Sequence, residues 1–345
     1  MTSAGVDGRA VPWEAVPWEA AAGLAGRMTE AAAELVADLA PEQRRVALHA
    51  PDDPALRDWG YTPRTRPGLP LAAMRASQRR LTWRLVELAL STEGTAKAHG
   101  VLALEAILQE RTANKAFRDP LNYALALFGS PGHGPWSWRF EGHHLSLTLT
   151  IVPGIGLGVT PHFLGANPFS GEVVRHGHGG LARVLEQESA LAFAVVQGLA
   201  PALLRQAVIA DRSPADIVSG PGRELALRTP SGLPLAAMPE PLRLQAVALI
   251  ETFFGHLAPE LARSVGAKLR EAGLDALRFA WAGATTPDGL HYYRLHGPTL
   301  ILEYDRTEPD HAHSVWHDPT NLFGEDHLRR HHEAAHRAGR GAEGR

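Results

Sequence analysis

Two histidines separated by one residue, His311 and His313, give the strongest chemical signal in the sequence. In an extended segment residues i and i+2 project from the same face, so both imidazoles could bind one metal ion. Nine of the eighteen histidines lie between His291 and His336, and the chain has no cysteine. Without thiolates, the ligands for Zn, Fe or Cu must come from imidazole and carboxylate groups. The pattern predicts one transition metal ion as cofactor; a surface loop in a histidine-rich region is the alternative.

A carboxylate inside an apolar strand pattern is the second candidate. Glu303 lies within the alternating segment 300–305, eight residues before His311. Such a carboxylate is costly to bury unless it is paired or bound to a cation. We therefore expect Glu303 to be a metal ligand or, if it is not one, the general base. Pairing with Arg139 or Arg294 across the sheet is the alternative.

A pair of adjacent histidines follows Gly142, which indicates a hairpin turn or a bulge. On a regular strand His143 and His144 would face opposite ways, and His144 would share a face with Ser146 and Thr148. We therefore predict His144 as a metal ligand and His143 as a catalytic or supporting group. Polar residues on an edge strand are the alternative.

An internal repeat organises these candidates. The heptapeptide Gly-Leu-Pro-Leu-Ala-Ala-Met at residues 68–74 recurs at residues 232–238. Helical patterns follow each copy, and the strand patterns at residues 138–150 and 293–305 also align. Agreement at successive segments favours a duplication over chance.

The alignment gives several residues a counterpart in the other half. Arg139 corresponds to Arg294, and both are candidates for clamping an anionic substrate, with structural salt bridges as the alternative. Further along, His162 can be laid on His313.

The element order predicts an internally duplicated α+β fold rather than alternating βαβ units. Each half is expected to be a helical pair followed by an antiparallel β-meander and a further helix, with the halves packed in pseudo-twofold symmetry. A twofold Val-Pro-Trp-Glu-Ala repeat at residues 11–20 suggests an arm with two Trp anchors or a partner-binding motif. The expected divisions are an N-terminal helical arm and linker (1–64), the first repeat (65–190), a helix and connecting loop (191–231), the second repeat with the His-rich segment (232–336) and a disordered tail (337–345).

Charge and hydropathy indicate which classes of partner and which location to expect. The net charge of −3 does not favour nucleic acid as a partner. No run of about eighteen apolar residues indicates a membrane span, and the N-terminus lacks the pattern of a secretory signal. We expect a cytoplasmic protein that acts on a small molecule, with neither nucleic acid nor membrane as a partner.

Several segments together resemble a bacterial and fungal family known only as domain of unknown function 3500. The resemblance spans about residues 65–335 and implies no activity. The Gly-His-His and His-x-His of the family correspond to His143, His144, His311 and His313. The chain departs from the family pattern at three positions, where Asn, Arg and Asp are expected: Asp310, His317 and Leu322. The segments that carry the resemblance are 136–147, 163–168, 293–305, 310–319 and 321–328.

Taken together, these residues favour a metal-dependent enzyme with a His-rich mononuclear site that hydrolyses a small molecule. One alternative is an oxygen-using oxidoreductase with non-haem iron or copper. The other is a non-catalytic protein that binds a metal or a ligand. A closed four-ligand site without a cavity would favour this last alternative, and an open coordination position facing a pocket would favour an enzyme.

Overall fold

The computed structural model describes residues 18–113, 115–169, 184–287 and 289–342. Most of the Val-Pro-Trp-Glu-Ala repeat and the Gly-rich segment with His176 and His178 lie outside these ranges. Within them, no helix has the length and apolar character needed to cross a bilayer.

The described residues form nine α-helices. Proline occupies the first position of three of them, where its missing N–H leaves no helical hydrogen bond unmade. The second long helix is capped by Ser91, whose hydroxyl accepts from the Gly94 N–H at 3.0 Å. The helices are α1 (Trp18–Asp38), α2 (Pro41–Ala47), α3 (Ala76–Ala89), α4 (Thr92–Arg111), α5 (Glu186–Gly198), α6 (Pro201–Ala207), α7 (Glu240–Phe254), α8 (Pro259–Ala272) and α9 (Glu325–Ala342).

Thirteen strands form one mixed sheet in the described residues. They are β1 (Leu48–His49), β2 (Leu69–Pro70), β3 (Ala124–Phe128), β4 (Trp136–Gly142), β5 (Leu145–Val152), β6 (Gly156–Gly158), β7 (His162–Ala166), β8 (Val208–Ala210), β9 (Leu233–Pro234), β10 (Arg278–Gly283), β11 (His291–Gly297), β12 (Leu300–Glu308) and β13 (His311–His317).

The ten-strand path runs β1-β3-β4-β5-β7-β13-β12-β11-β10-β8, with β2 beside β3, β6 beside β5 and β9 beside β10. The β1–β3 and β8–β10 pairs are parallel and the other pairs are antiparallel. The α+β class expected from the sequence is therefore confirmed. Each expected meander is followed by one more strand, β7 after the first and β13 after the second. These two strands pair with each other and join both meanders into one sheet.

One face of the sheet packs against the helices. Its apolar residues belong to a single core cluster that includes members of both expected repeats. Leu24 and Met28 of α1 are part of this core, and β1 pairs with β3, so residues from the segment 18–49 pack on the main body. At the other end, α9 continues to Ala342, beyond residue 337 where a disordered tail was expected.

Loops cover the opposite face of the sheet. A smaller apolar cluster there joins Trp59 and Tyr61 to Phe163, Ile217 and Phe323. Around this cluster the same face carries buried charged residues, including Arg139, Glu303 and Asp305. Since a buried charge must be paired or bound to a cation, this face holds the candidate site.

Gly94 permits the close approach of α4 to the end of α7. A Cβ at this position would lie 1.9 Å from the carbonyl oxygen of His256, whereas a Cβ on Gly26 of α1 would meet nothing within 4 Å. We expect Gly94→Ala to destabilise the protein by about 1–3 kcal/mol through overpacking. The control Gly26→Ala should be neutral or stabilise by about 0.5–1 kcal/mol. Thermal unfolding of both variants measures this, and equal stability would contradict the packing described.

Candidate metal centre

Three imidazoles meet above the centre of the loop-covered face. The Nε2 atoms of His144 and His311 are 2.8 Å apart, and one ring nitrogen from each of these two and His313 lies within 4.8 Å of the others. The rings of His311 and His313 are 4.4 Å apart on β13. The structure thus brings together the three histidines predicted as ligands and places both members of the His-x-His pair on one side of the strand.

His144 reaches this position from a hairpin turn. His143 and His144 form the two-residue turn between β4 and β5, since Gly142 pairs directly with Leu145. His144 has a left-handed backbone with φ 63°. The structure therefore has the hairpin turn that Gly142 indicated, and not the regular strand on which the choice of His144 was based. The two rings do not face opposite ways; they stack with centroids 3.7 Å apart.

Gly165 of β7 makes room for the His144 ring. Its N–H donates to the carbonyl oxygen of His144 at 2.7 Å, and it pairs with His313 across the sheet. A Cβ at this glycine would lie 2.7 Å from Cδ2 and 2.9 Å from Cγ of His144. The bare backbone of β7 is thus what allows a turn residue from one side of the sheet to approach β13 on the other.

Carboxylates flank the other ring nitrogen of both β13 histidines. Oε2 of Glu308 is 3.3 Å from Nδ1 of His311. Oδ1 of Asp216 and Oδ1 of Asp305 are 3.2 and 3.4 Å from Nδ1 of His313. Carboxylates at Nδ1 orient an imidazole and leave its Nε2 for a metal ion, the usual surroundings of a metal-binding histidine.

The backbone places these carboxylates in different ways. Asp305 is the direct partner of His313 in the β12–β13 ladder. The register then shifts, so that Glu308 pairs with His311. Asp216 comes from the loop that follows β8, and the hydroxyl of Tyr61 donates to its Oδ2 at 2.7 Å.

A second buried pair supports the turn. Nδ1 of His143 is in a short hydrogen bond with Oε2 of Glu105 from α4. Because the carboxylate accepts from Nδ1, the neutral ring keeps Nε2 as a proton acceptor. His143 is therefore oriented by a helix while stacked against His144.

Burial and neighbouring charges divide the cluster into neutral and charged rings. Burial lowers the pKa of His144 well below its ordinary value, and it lowers the pKa of His311 to about 4. Both rings are thus neutral at pH 7, the form that binds metals. Burial also opposes the charge on His313, but the contacts with Asp216 and Asp305 outweigh it and raise its pKa to about 9.

The pKa values of Asp216 and Asp305 are also shifted in opposite directions. Burial opposes the negative charge of Asp216, yet the contact with the His313 ring and the hydrogen bond from Tyr61 lower its pKa to about 2. For Asp305, burial dominates and raises the pKa above its ordinary value. The fully buried carboxylate is thus the less well compensated of the two.

Glu303 lies in a different network from the one expected. Its carboxylate accepts from the N–H groups of Val218 and Ser219 at 2.9 and 2.8 Å, and also from the hydroxyls of Ser219 and Tyr292. Four donors satisfy the carboxylate without a metal ion. Glu303 is not among the carboxylates that contact the three imidazoles. Its hydrogen bonds with Val218 and Ser219 instead fix the loop that carries Asp216.

The two corresponding arginines are also engaged elsewhere. The Nε of Arg139 lies 3.1 Å from Glu141, and its terminal nitrogens donate to the carbonyl oxygens of Ala55 and Leu56. Arg294 donates to the hydroxyl of Ser231. The hydrogen bonds of Arg139 thus hold the 54–57 segment, so its contacts are structural and not those of an anion clamp.

Sequence reasoning missed Asp216, Glu105 and the role of Asp305. Asp305 shares the face of Glu303 at a spacing of two, a signal that was present. Glu105 interrupts an apolar helical run, which is the signature of a buried carboxylate with a partner. Asp216 lies in a loop without periodicity, so no local pattern marks it.

A cavity of about 590 Å³, within the range typical of small-molecule sites, lies beside Glu308, but its lining does not include the three imidazoles. Its lining includes Glu308, the partner of His311, and Ala215, the neighbour of Asp216. Arg212, Ser213 and Leu290 also line it. The cavity therefore reaches the carboxylate partner of His311 and not the imidazoles themselves.

Gly165 offers a direct test of the geometry. In Gly165→Ala, the added Cβ would displace the His144 ring from His311 and His313 without removing any ligand. We expect metal affinity to fall at least about tenfold, the size of effect seen when groups that orient ligands are lost. Isothermal titration with Zn²⁺ measures it, with Gly26→Ala as the control. Unchanged affinity in a folded variant would contradict the role of Gly165.

Comparisons with known proteins agree with the resemblance and add no activity. No curated protein and no solved structure matches the chain significantly. Residues 22–325 match the model of a protein family described as "Protein of unknown function (DUF3500)". Since the match covers most of the sequence, the chain belongs to the DUF3500 family.

Proposed function

We propose that this protein is a metal-dependent enzyme whose mononuclear centre is held by His144, His311 and His313. The observation that carries the proposal is the convergence of three buried or half-buried imidazoles from two separate hairpins. Zn, Fe or Cu fits this donor set, because imidazole suits each of them and no thiolate is available. Binding to His313 would displace a proton from its ring, since this histidine is charged at pH 7 without a metal ion. Glu303 is not among the proposed ligands, since its oxygens already accept four hydrogen bonds.

The number of ligands supports catalysis over a structural role. Structural zinc sites are closed by four protein ligands, whereas catalytic sites keep a position for water or substrate. Three imidazoles would leave such a position, and the cavity beside Glu308, the partner of His311, would hold a small molecule near it. This combination is what distinguishes an enzyme from a protein that only stores or binds a metal ion.

Hydrolysis of a small molecule is the reaction we favour. A metal ion bound here would lower the pKa of water and polarise a carbonyl or phosphoryl oxygen. His143 would accept a proton at Nε2, because Glu105 holds its Nδ1 side. Glu308 and Asp216 would keep the β13 imidazoles oriented during the reaction. This assignment gives His143 the proton-transfer role and replaces Glu303 as general base.

Oxygen chemistry is the second candidate. The observation that favours it is the all-nitrogen donor set, with the neighbouring carboxylates at Nδ1 and not at the proposed ligand nitrogens. Copper and iron use histidine sets with open positions in oxidative enzymes. The identity of the bound metal separates the two reactions.

We also propose that the fold arose by duplication, with pseudo-twofold symmetry about the β7–β13 pair. The strand order supports this, since β3-β4-β5-β7 on one side is matched by β10-β11-β12-β13 on the other. The parallel outer strands β1 and β8 each follow a short helix that begins with proline. On this scheme the repeats begin earlier than residues 65 and 232, because α1, α2 and β1 correspond to α5, α6 and β8.

The correspondence of His162 with His313 is wrong. His162 faces the helices, where its ring lies 5.9 Å from that of Trp316, its partner across the sheet. His313 projects from the opposite face, beside Phe163. A twofold axis perpendicular to the sheet relates residues that project from the same face. His162 and His313 project from opposite faces, so the alignment that sets them 151 residues apart cannot be the one that the symmetry requires.

Superposition of the two halves in an experimental structure tests the duplication. The Cα atoms of β3, β4, β5 and β7 should fit those of β10, β11, β12 and β13 in the same order and direction. A fit that requires a different order or reversed strands would contradict the proposal.

Elemental analysis of purified protein tests the metal centre. We expect bound Zn, Fe or Cu in the wild type and loss of the metal from the proposed centre in the double variant His311→Ala/His313→Ala, because two of three ligands are gone. Glu303→Gln should lose thermal stability but retain metal. Unchanged metal content in the double variant would contradict the site, and complete loss of metal from folded Glu303→Gln would contradict the exclusion of Glu303 from the ligands. Copper or iron would favour the oxidative reaction.

A further inference from the structure

Asp305 is a buried carboxylate to which no group in the described residues donates an aligned hydrogen bond. Its relative exposure is 0%, and neither side-chain oxygen has a hydrogen bond within the described residues. Burying such a group costs several kcal/mol unless a cation compensates it. The Nδ1 atom of His313 lies 3.4 Å from Oδ1 of Asp305, but it also makes no aligned hydrogen bond within the described residues. The contact therefore brings the three groups together without a directed proton between them.

The distances around Nδ1 of His313 suit ligands of one ion. Oδ1 of Asp216 and Oδ1 of Asp305 lie 3.2 and 3.4 Å from it. Two atoms that each bind a zinc ion at about 2.0–2.1 Å in tetrahedral geometry are about 3.3–3.4 Å apart. Together with His313, the two aspartates form a group of potential ligands distinct from His144 and His311.

We propose that Asp216, Asp305 and Nδ1 of His313 bind a second divalent transition metal ion. His313 then bridges two ions, with Nε2 toward His144 and His311 and Nδ1 toward the aspartates. Binding of the two ions displaces both ring protons of the cationic His313, one from each nitrogen; both protons pass to solvent, and the ring becomes an imidazolate. The inference rests on the proposed metal centre for the inner ion, whereas the outer site is carried by the aspartates alone.

The surroundings hold the outer site in place. Tyr61 donates to Oδ2 of Asp216, so the other oxygen, Oδ1, remains directed at His313. The loop carrying this aspartate is anchored two residues later, where Glu303 accepts from the N–H groups of Val218 and Ser219. Asp305 is fixed by its strand pairing with His313. Both carboxylates are therefore positioned by contacts other than those to the ion.

The two ions would have different roles. Across an imidazole ring they would be separated by roughly 6 Å, given metal–nitrogen bonds of about 2.0–2.1 Å. Hydrolytic two-metal sites that share a substrate oxygen have ions about 3.5–4 Å apart. The outer ion is thus a positioning element, which fixes His313 and neutralises the buried aspartates, and it does not share a substrate oxygen with the inner ion.

Zn²⁺ stoichiometry after loading and dialysis is the first test. Wild type should bind two ions per chain, Asp305→Asn one, and His144→Ala/His311→Ala one. The exposed control Asp275→Asn should bind two, and circular dichroism confirms that each variant is folded. A single ion in wild type that is retained in Asp305→Asn and lost from His144→Ala/His311→Ala would overturn the second site and leave the proposed function intact. No ion in wild type would overturn both.

Copper loading tests the bridge. Two Cu²⁺ ions joined by an imidazolate are magnetically coupled, so wild type should show a much weaker electron paramagnetic resonance signal per copper than Asp305→Asn. Equal signal per copper in wild type and variant, at a stoichiometry of two in wild type, would overturn the bridging role of His313.

Discussion

The antiparallel pairing of β7 with β13 is the constraint on which the rest of the structure depends. It joins the two halves of the sheet, and the single core beneath it spans both. The same pairing sets Gly165 opposite His313, and the absence of a side chain at Gly165 admits the ring of His144. The same strand pairing therefore holds the two halves of the sheet together and brings the three imidazoles close to one another. A shift of this pair by one residue would turn His313 toward the helices and remove the site.

The loop-covered face follows a second rule: its buried charges are neutralised by specific partners. Glu303 binds two backbone N–H groups and two hydroxyls, and Glu141 lies within 3.4 Å of Arg64, Arg66 and Arg139. These carboxylates fasten the loops that cover the sheet. Asp305 is different, because its oxygens have no such donors among the described residues. The contrast separates the carboxylates that stabilise the fold from Asp305, the carboxylate for which we propose a metal ion as partner.

Much of the fold could be predicted from local patterns, and part of the site could be too. The helices, the hairpins and the shared face of His311 and His313 follow from periodicity. The errors arose where long-range geometry decides. Whether His144 lies on a strand or in a turn depends on the pairing of Gly142 with Leu145, and the carboxylate of Glu303 was bound by a loop more than eighty residues earlier. No short-range signal encodes either contact. Asp216 was missed for the same reason.

Under the proposed duplication, the site is asymmetric because each half supplies what the other lacks. The turn of the first hairpin carries His143 and His144, while the matching turn between Gly297 and Leu300 carries Pro298 and Thr299. The position in the first half that corresponds to Asp305 is occupied by Thr150, whose hydroxyl donates to the carbonyl oxygen of Phe323. A second, symmetric centre would thus have neither the turn imidazole nor the strand carboxylate. The one site needs the turn of the first half and the β12–β13 hairpin of the second, so its chemistry requires the joined sheet.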